Sequence, residues 1–315
     1  MHTVILTEPM HEAGMLLLRD RADIRLVVAP PGSTEFEAAL PEVVGIGVRT
    51  ARLPAEVMAR APRLRVVAKH GVGFDNVDVG HLRARGIPMA IAAHANAQSV
   101  AEHTLMLMLA AAKHLRSYDA AVREGQWSER LSGRAVDLGG RVVLVVGHGR
   151  VGRRVATLCA AFGMQVLVHD LLPQPPSPAY EVAPVLDEAL PRADVVTLHI
   201  PLSPATARLF DAARLAQMRP GAVLVNCARG GIVMEDALRA ALQDGRLAAA
   251  GLDVFAEEPP DLASPLLHFP NVVATPHSAA TTAEGAKRMA VSVAENILGA
   301  LDERLPADVV VNGVI

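Results

Sequence analysis

Short runs of apolar, often β-branched residues alternate along this chain with stretches whose apolar positions recur at helical spacing. In the first third the runs are TVILT (3–7), IRLVV (24–28), VVGIG (43–47) and LRVVA (64–68), with punctuation such as Pro30-Pro31-Gly32 between them. Runs of that length and composition predict strands, and the intervening periodicity predicts helices near 10–19, 34–40 and 54–60. The rhythm resumes after residue 140 with RVVLVVG (141–147), QVLVHD (165–170), DVVTLHI (194–200), AVLVNC (222–227), AGLDVF (250–255) and NVVAT (271–275). These runs are continuously apolar, so both faces of each strand are expected to be covered, as in a parallel sheet. Two sets of strand–helix alternation predict an α/β protein of two doubly wound parallel-sheet domains.

Between the sets, SVAEHTLMLMLAAAKHLRSYDAAVREGQW predicts one long helix from about Ser99 to Arg123, apolar nearly all round over its first half. Such a helix needs more than its own domain's sheet to bury it, so it is read as a crossing between domains, its Met and Leu residues as packing, with a subunit interface as a second use. A C-terminal helix over about Thr281–Leu301 is long enough to cross back. The first domain is then discontinuous, residues 1–98 with 286–315, and the second spans 99–285. The Pro-rich LLPQPPSPAY (171–180) is expected to be an extended loop.

Composition narrows the function classes. A formal net charge of -3, with Lys and Arg dispersed, offers no basic field for nucleic acid or an anionic membrane. The longest apolar run, Leu105–Ala112, is far below the ~18 residues of a membrane helix, and the amino terminus lacks a basic segment followed by an apolar one. The expectation is a cytoplasmic protein without nucleic-acid or membrane partners. Two cysteines, Cys159 and Cys227, make no disulfide framework and read as reduced, packed thiols. Twelve histidines invite a metal, but no H-E-x-x-H or close His/Cys cluster occurs, so none is assigned.

The first candidate chemistry is VVGHGRVGRRV (145–155), where Gly147, Gly149 and Gly152 stand as G-x-G-x-x-G. Glycines alone mark any tight turn, but here the first ends an apolar strand and a helical pattern, Val151, Val155, Leu158 and Phe162, starts at once. The turn therefore lies at a helix N-terminus, where free N–H groups of Arg150 and Val151 and the helix dipole can hold a diphosphate. The next strand ends in Asp170, eighteen residues past Gly152. An acid there accepts from ribose hydroxyls of NAD and repels the extra phosphate of NADP, and no Arg or Lys lies between Leu171 and Ala183 to welcome that phosphate.

Ligands of open parallel sheets bind at the carboxyl ends of the strands. Three ionisable residues occupy such ends: Arg229 after AVLVNC, Glu257-Glu258 after AGLDVF, and His277 after NVVAT. Singly, each has a plain explanation as a solvated charge, a polar loop or a helix cap. Together they match what reduction of a 2-keto acid requires. A guanidinium fork holds the carboxylate and polarises the carbonyl, and an imidazole delivers a proton to the oxygen as hydride reaches carbon. A carboxylate such as Glu258 beside the imidazole favours its charged form.

GHGRVGRRVA, His199-Ile200-Pro201-Leu202, NCARGG, GLDVFAEEPP and ATPHSA, with HGVGFDNVDV and HANAQSVAEHTLMLML in the amino half, together resemble the D-isomer-specific 2-hydroxyacid dehydrogenases over nearly the whole chain. The resemblance implies a Rossmann NAD-binding domain inserted into a discontinuous flavodoxin-like substrate domain, a homodimer, and NAD-dependent interconversion of a small D-2-hydroxy acid and its 2-keto acid, of the 3-phosphoglycerate, hydroxypyruvate or glyoxylate type. It implies Arg229, Glu258 and His277 as the catalytic trio, with Glu258 rather than Glu257 because it directly precedes the proline. At the cofactor it implies Arg150 and Val151 with the glycine turn on the diphosphate, Asp170 on the ribose, His199, Pro201 and Thr206 along the dinucleotide, and Cys227, Ala228 and Asp253 at the nicotinamide. For the substrate it implies backbone N–H groups of Val72 and Gly73 on the carboxylate, Asn96 near the cleft, and Arg49 at the distal end. His148 inside the glycine motif and Lys69-His70 before the substrate loop depart from what the family leads one to look for, and leave the substrate open. No further regulatory domain is expected after Ile315, which would argue against end-product control. Rival readings are an NAD(H)-sensing binding protein like the corepressors that resemble this family, and a phosphite-type dehydrogenase.

Overall fold

The computed structural model describes residues 1–314 and divides the chain into two compact units, residues 1–96 with 280–315 and residues 97–279. The first unit contains strands β1 (His2–Leu6), β2 (Ile24–Val28), β3 (Val43–Val48), β4 (Val66–Lys69) and β5 (Met89–Ile91). All pair in parallel in the order β2-β1-β3-β4-β5, the flavodoxin-like doubly wound order. One face is packed by Phe36, Leu40, Leu53, Met58 and Leu82, and the other by Leu18, Val293 and Ile297. Two-sided cover explains why VVGIGV of β3 is buried at every position. The helix Ala283–Leu301 belongs to this unit, capped by the Thr282 hydroxyl, which accepts from the Gly285 N–H at 2.9 Å.

The second unit contains β6 (Val142–Val146), β7 (Gln165–His169), β8 (Glu181–Val182), β9 (Val195–Leu198), β10 (Ala222–Asn226), β11 (Leu247–Leu252) and β12 (Val272–Ala274). Their order, β12-β11-β10-β9-β6-β7-β8, is again wholly parallel, and the chain reverses direction across the sheet between β6 and β9. That reversal is the switch point at which a Rossmann sheet leaves its ligand crevice.

The expected single helix over 99–123 is two helices, Ala97–Ala112 and Leu115–Arg123. His114 between them has a left-handed backbone, φ 51°. The break separates unlike sequences: the first helix is apolar on most sides, whereas the second is amphipathic with a charged outer face. Ala97–Ala112 packs on its own unit's sheet, against β10, β11 and β12, and against the helix Arg150–Ala161. The sheet can take so broad an apolar surface because small residues let the backbone come close; a Cβ on Gly251 would lie 2.9 Å from that of Leu107. Residues 171–180 form the expected irregular loop. No helix among the described residues is long and apolar enough to cross a membrane.

Candidate active site

In the second unit the carboxyl ends of β10, β11 and β12 are neighbours, and each delivers one of the three ionisable groups. β10 runs into Asn226, which shapes the turn that follows. Its side-chain oxygen accepts from the Ala228 N–H at 3.0 Å, and its amide donates to the Arg229 carbonyl at 2.9 Å. Arg229 is extended and half-buried, its guanidinium donating to the Ala228 carbonyl at 2.7 Å. Gly230 then presses directly on the next strand's loop. A Cβ there would lie 1.8 Å from the Phe255 carbonyl carbon and 2.4 Å from the Ala256 nitrogen, so only glycine lets the Arg229 turn touch the segment leading to Glu258.

That segment is fixed by carboxylates at both ends. Glu235 accepts from the Ala256 N–H at 2.6 Å, and Glu258 accepts from the Phe255 N–H at 3.1 Å through Oε1. The other oxygen of Glu258 lies 2.7 Å from Nδ1 of His277. Nδ1 is thus committed to the carboxylate, which leaves Nε2 as the proton-carrying atom for a substrate. Glu257 has no part in this contact.

His277 has φ 50°, a left-handed conformation that costs a non-glycine residue about 1–3 kcal/mol unless its surroundings hold it. The restraint is Asp253, at the end of β11 and completely buried. Its carbonyl accepts the His277 N–H at 2.8 Å. Its carboxylate accepts the Ser278 N–H at 2.8 Å, the Ala279 N–H at 3.0 Å and the Thr275 hydroxyl at 2.6 Å, with His103 Nε2 at 3.4 Å. Burial opposes the charge, but the bonds from His103, Thr275, Ala279 and Ser278 outweigh it and hold the carboxyl below the usual range. The resemblance places Asp253 at the nicotinamide; its carboxylate also grips the loop that carries His277. Asn226, Glu235 and His103 were not singled out from sequence, since only the fold brings them to these loops.

The glycine turn has the form a diphosphate needs. Gly147 has φ 94°, and a Cβ on it would meet the His199 carbonyl oxygen at 2.6 Å; one on Gly152 would meet the Gly147 oxygen at 1.9 Å. Gly149 faces open space and begins the helix Arg150–Ala161 with no side chain capping it. The first-turn N–H groups, Arg150 and Val151 among them, lie at this helix start, where no side chain caps them. Asp170 accepts from the His148 N–H at 2.6 Å and the Leu172 N–H at 2.9 Å, which leaves about half of a carboxylate's lone-pair sites for hydroxyl donors. His148 is buried, its Nδ1 2.8 Å from Gln174 and its ring edge-on to Tyr180. It therefore anchors the loop after Asp170, a role its motif position alone did not indicate.

His199 is half-buried beside the Thr197 hydroxyl at 3.0 Å, and desolvation pushes its imidazole down to about 3. Thr206 folds the Pro201 loop, its hydroxyl donating to the Pro201 carbonyl at 2.6 Å and accepting the Ser203 N–H at 2.8 Å. Burial pushes the Cys227 thiol up to about 12, so it is an inert thiol beside Ala228. These residues fit a dinucleotide: a glycine turn at a helix start that no side chain caps, and an acid at the next strand end.

In the first unit Arg49 follows β3, and Val72 and Gly73 follow β4, so all three lie at neighbouring carboxyl ends of one sheet. Arg49 is exposed, and Asn96 is buried at the end of this unit's first segment.

Comparison with known proteins defines the class. Residues 105–279 match the NAD-binding domain of the D-isomer specific 2-hydroxyacid dehydrogenases. The chain is 41% identical over 314 residues to D-3-phosphoglycerate dehydrogenase of Mycobacterium leprae (strain TN), covering 98% of this chain but only 59% of that relative's length. It is 34% identical over 301 residues to hydroxypyruvate reductase of Thermotoga maritima, covering 94% of this chain and 97% of the relative. Among solved structures, the TT0316 protein of Thermus thermophilus superposes with a TM-score of 0.88 at 37% identity, over 97% of this chain and 98% of that one. The chain belongs to the D-isomer specific 2-hydroxyacid dehydrogenase family.

Proposed function

We propose that this protein is an NAD-dependent dehydrogenase that interconverts a small D-2-hydroxy acid and its 2-keto acid, of the 3-phosphoglycerate, hydroxypyruvate or glyoxylate type. The observation that carries this reading is the 2.7 Å contact between Glu258 and His277 Nδ1, with the segment leading to Glu258 pressed against the Arg229 turn through Gly230. Bound at the glycine turn, NADH supplies the hydride and NAD accepts it.

The remaining work falls to the chain. The Arg229 guanidinium holds the substrate carboxylate and polarises the neighbouring carbonyl, a planar bidentate task. His277, oriented by Glu258, gives its Nε2 proton to the carbonyl oxygen during reduction and takes it back during oxidation. The N–H groups of Val72 and Gly73 add donors for the carboxylate, Asn96 lines the substrate's surroundings, and Arg49 meets a distal group. Arg150 and Val151 hold the diphosphate, and Asp170 sets the preference for NAD over NADP. His199, Pro201 and Thr206 flank the dinucleotide, and Cys227 and Ala228 lie by the nicotinamide. Asp253 acts through the His277 loop.

The first unit serves as the substrate domain and the second as the dinucleotide-binding domain, divided at 96/97 and 279/280 rather than at the expected 98/99 and 285/286 so that both long helices stay whole. Homodimerisation is supported by the large apolar side chains exposed along one stretch, Leu115, Val122, Trp127 and Leu131. Two free thiols suit the cytoplasm. The test is a panel of 2-keto acids with NADH. Oxidation of NADH by at least one member is expected, and none, in protein shown to bind NADH, refutes the activity.

A further inference from the structure

The segment Arg49-Thr50-Ala51 is held from both sides by side chains outside the proposed catalytic set. From the end of β1 comes Glu8, half-buried. Its Oε1 accepts the Thr50 N–H at 2.8 Å, the Thr50 hydroxyl at 2.7 Å and the Ala51 N–H at 2.7 Å, and its Oε2 accepts the Arg49 N–H at 3.2 Å. The Thr7 hydroxyl also donates to Glu8. One carboxylate thus collects three successive backbone N–H groups. On the carbonyl side, the buried Lys69 ammonium donates to the Arg49 carbonyl and, at 2.8 Å, to the Asn76 side-chain oxygen. The Asn76 amide donates to the Ala51 carbonyl at 2.6 Å. Backbone bonds Leu53 N–H to Asn76 carbonyl, 2.8 Å, and Asp78 N–H to Leu53 carbonyl, 3.0 Å, continue the stitching.

A loop at a strand end seldom has its N–H and C=O groups fixed so fully by charged side chains. Everything about residue 49 is immobilised except its side chain, which is exposed and makes no hydrogen bond or ion pair among the described residues. The charge of the guanidinium acts on the buried His70. Burial, the Arg49 charge and the Lys69 charge push that imidazole down to about 4, so it stays neutral beside the two cations. Burial opposes the charge on Glu8, yet the bonds from Thr7, Thr50 and Ala51 hold its carboxyl below the ordinary range.

We propose that Glu8, with Lys69 and Asn76 on the opposite side, is a positioning residue that fixes Arg49 for a second anionic group on the substrate, and so sets discrimination between 2-keto acids with and without a distal negative charge. This rests on the reading that Arg49 meets the substrate's distal end. The catalytic trio acts on C1 and C2, which all such acids share, so the clamp affects only the part that differs.

The experiment compares a three-carbon 2-keto acid bearing a C3 phosphate with the same acid bearing a free C3 hydroxyl, in wild type, Glu8→Gln, Arg49→Ala and the double variant. Glu8→Gln puts an NH2 group against backbone donors. It should lower kcat/KM for the phosphorylated acid roughly tenfold, mostly through KM, and change that for the hydroxyl acid by less than about twofold. Because Glu8 acts through Arg49, the double variant should discriminate no worse than Arg49→Ala alone. Lys69→Met should repeat the pattern from the carbonyl side, and it carries the test if Glu8→Gln does not fold. Equal losses for both acids, additive penalties in the double variant, or a wild type that treats the two acids alike would overturn the proposal while leaving the dehydrogenase intact. A wild type inactive on both acids, and on the rest of the panel, overturns the dehydrogenase reading itself.

Discussion

Replacing Asp253 with Asn removes one buried oxygen from the grip on the His277 loop and puts a donor in its place. If the Asn oxygen takes the Oδ1 position, it keeps the Thr275 hydroxyl at 2.6 Å and the Ser278 N–H at 2.8 Å, while the NH2 group faces the Ala279 N–H that donated at 3.0 Å. Ala279 is buried, so its N–H finds no water; an orphaned donor costs about 1–3 kcal/mol. The bonds that survive lose their charge assistance, which about halves their strength. A total near ~3 kcal/mol follows, or a melting point lower by about 10 °C for a unit of this size. Relieved of its restraint, the left-handed His277 relaxes, and a displacement of about 1 Å costs roughly 100-fold in kcat.

Acid titration adds a signature. The Asp253 carboxyl is held below its unfolded value, so its contribution to stability is complete above about pH 4 and is lost as pH falls through the folded value. Asp253→Asn should flatten that part of the acid-stability curve. The assay is thermal and urea unfolding of cofactor-free protein across pH, alongside kcat and NADH binding. A variant with the wild-type melting point but weaker NADH binding would refute the reasoning, since Asp253 would then act on the cofactor rather than on the loop.

Gly230→Ala should be disabling, because its Cβ would meet the Phe255 and Ala256 backbone at 1.8–2.4 Å; a stability loss of about 3 kcal/mol by urea unfolding is expected. Gly231→Ala, whose Cβ meets only the flexible Leu202 side chain at 3.3 Å, should cost under about 1 kcal/mol in the same measurement. Gly152→Ala, with a Cβ 1.9 Å from the Gly147 oxygen, should abolish binding of NADH followed by fluorescence. His277→Asn should cut kcat by roughly 100-fold or more while NADH affinity stays within about twofold. Arg229→Lys should lower kcat/KM roughly 100-fold by steady-state assay, since a point charge cannot replace the fork.

The strands that sequence revealed are those whose continuous apolar runs reflect cover on both faces. β5 escaped because Met89–Ile91 is only three residues behind a proline, and β8 because two residues carry no pattern. Both exist through pairing with β4 and β7, a tertiary cause. The break at His114 escaped for a related reason: Lys113 and His114 fit a continuous helical pattern, and only the backbone shows the left-handed turn.

At the site, Arg229, Glu258 and His277 stood out because each ends an apolar strand. Of the residues that aim them, Asp253 was named only through the family resemblance, and Glu235 was not named. Glu235 reaches Ala256 across 21 residues, Asp253 grips Ala279 across 26, and Glu8 meets Ala51 across 43. Such acids look like ordinary solvated or strand-end charges until the sheet brings their donors to them. Asp170 shows the intermediate case, with its position predicted from spacing and its bond to the His148 N–H visible only in the fold.

Hydride delivery to C2 under proton donation by His277 is tested most directly with NADH carrying deuterium at both hydrogens of the nicotinamide C4, incubated with an accepted 2-keto acid, the product being analysed by mass and chirality. The product should be the D-2-hydroxy acid with one deuterium on C2, formed by wild type and roughly 100-fold or more slowly by His277→Asn. Product without deuterium at C2, or of L configuration, would contradict the account.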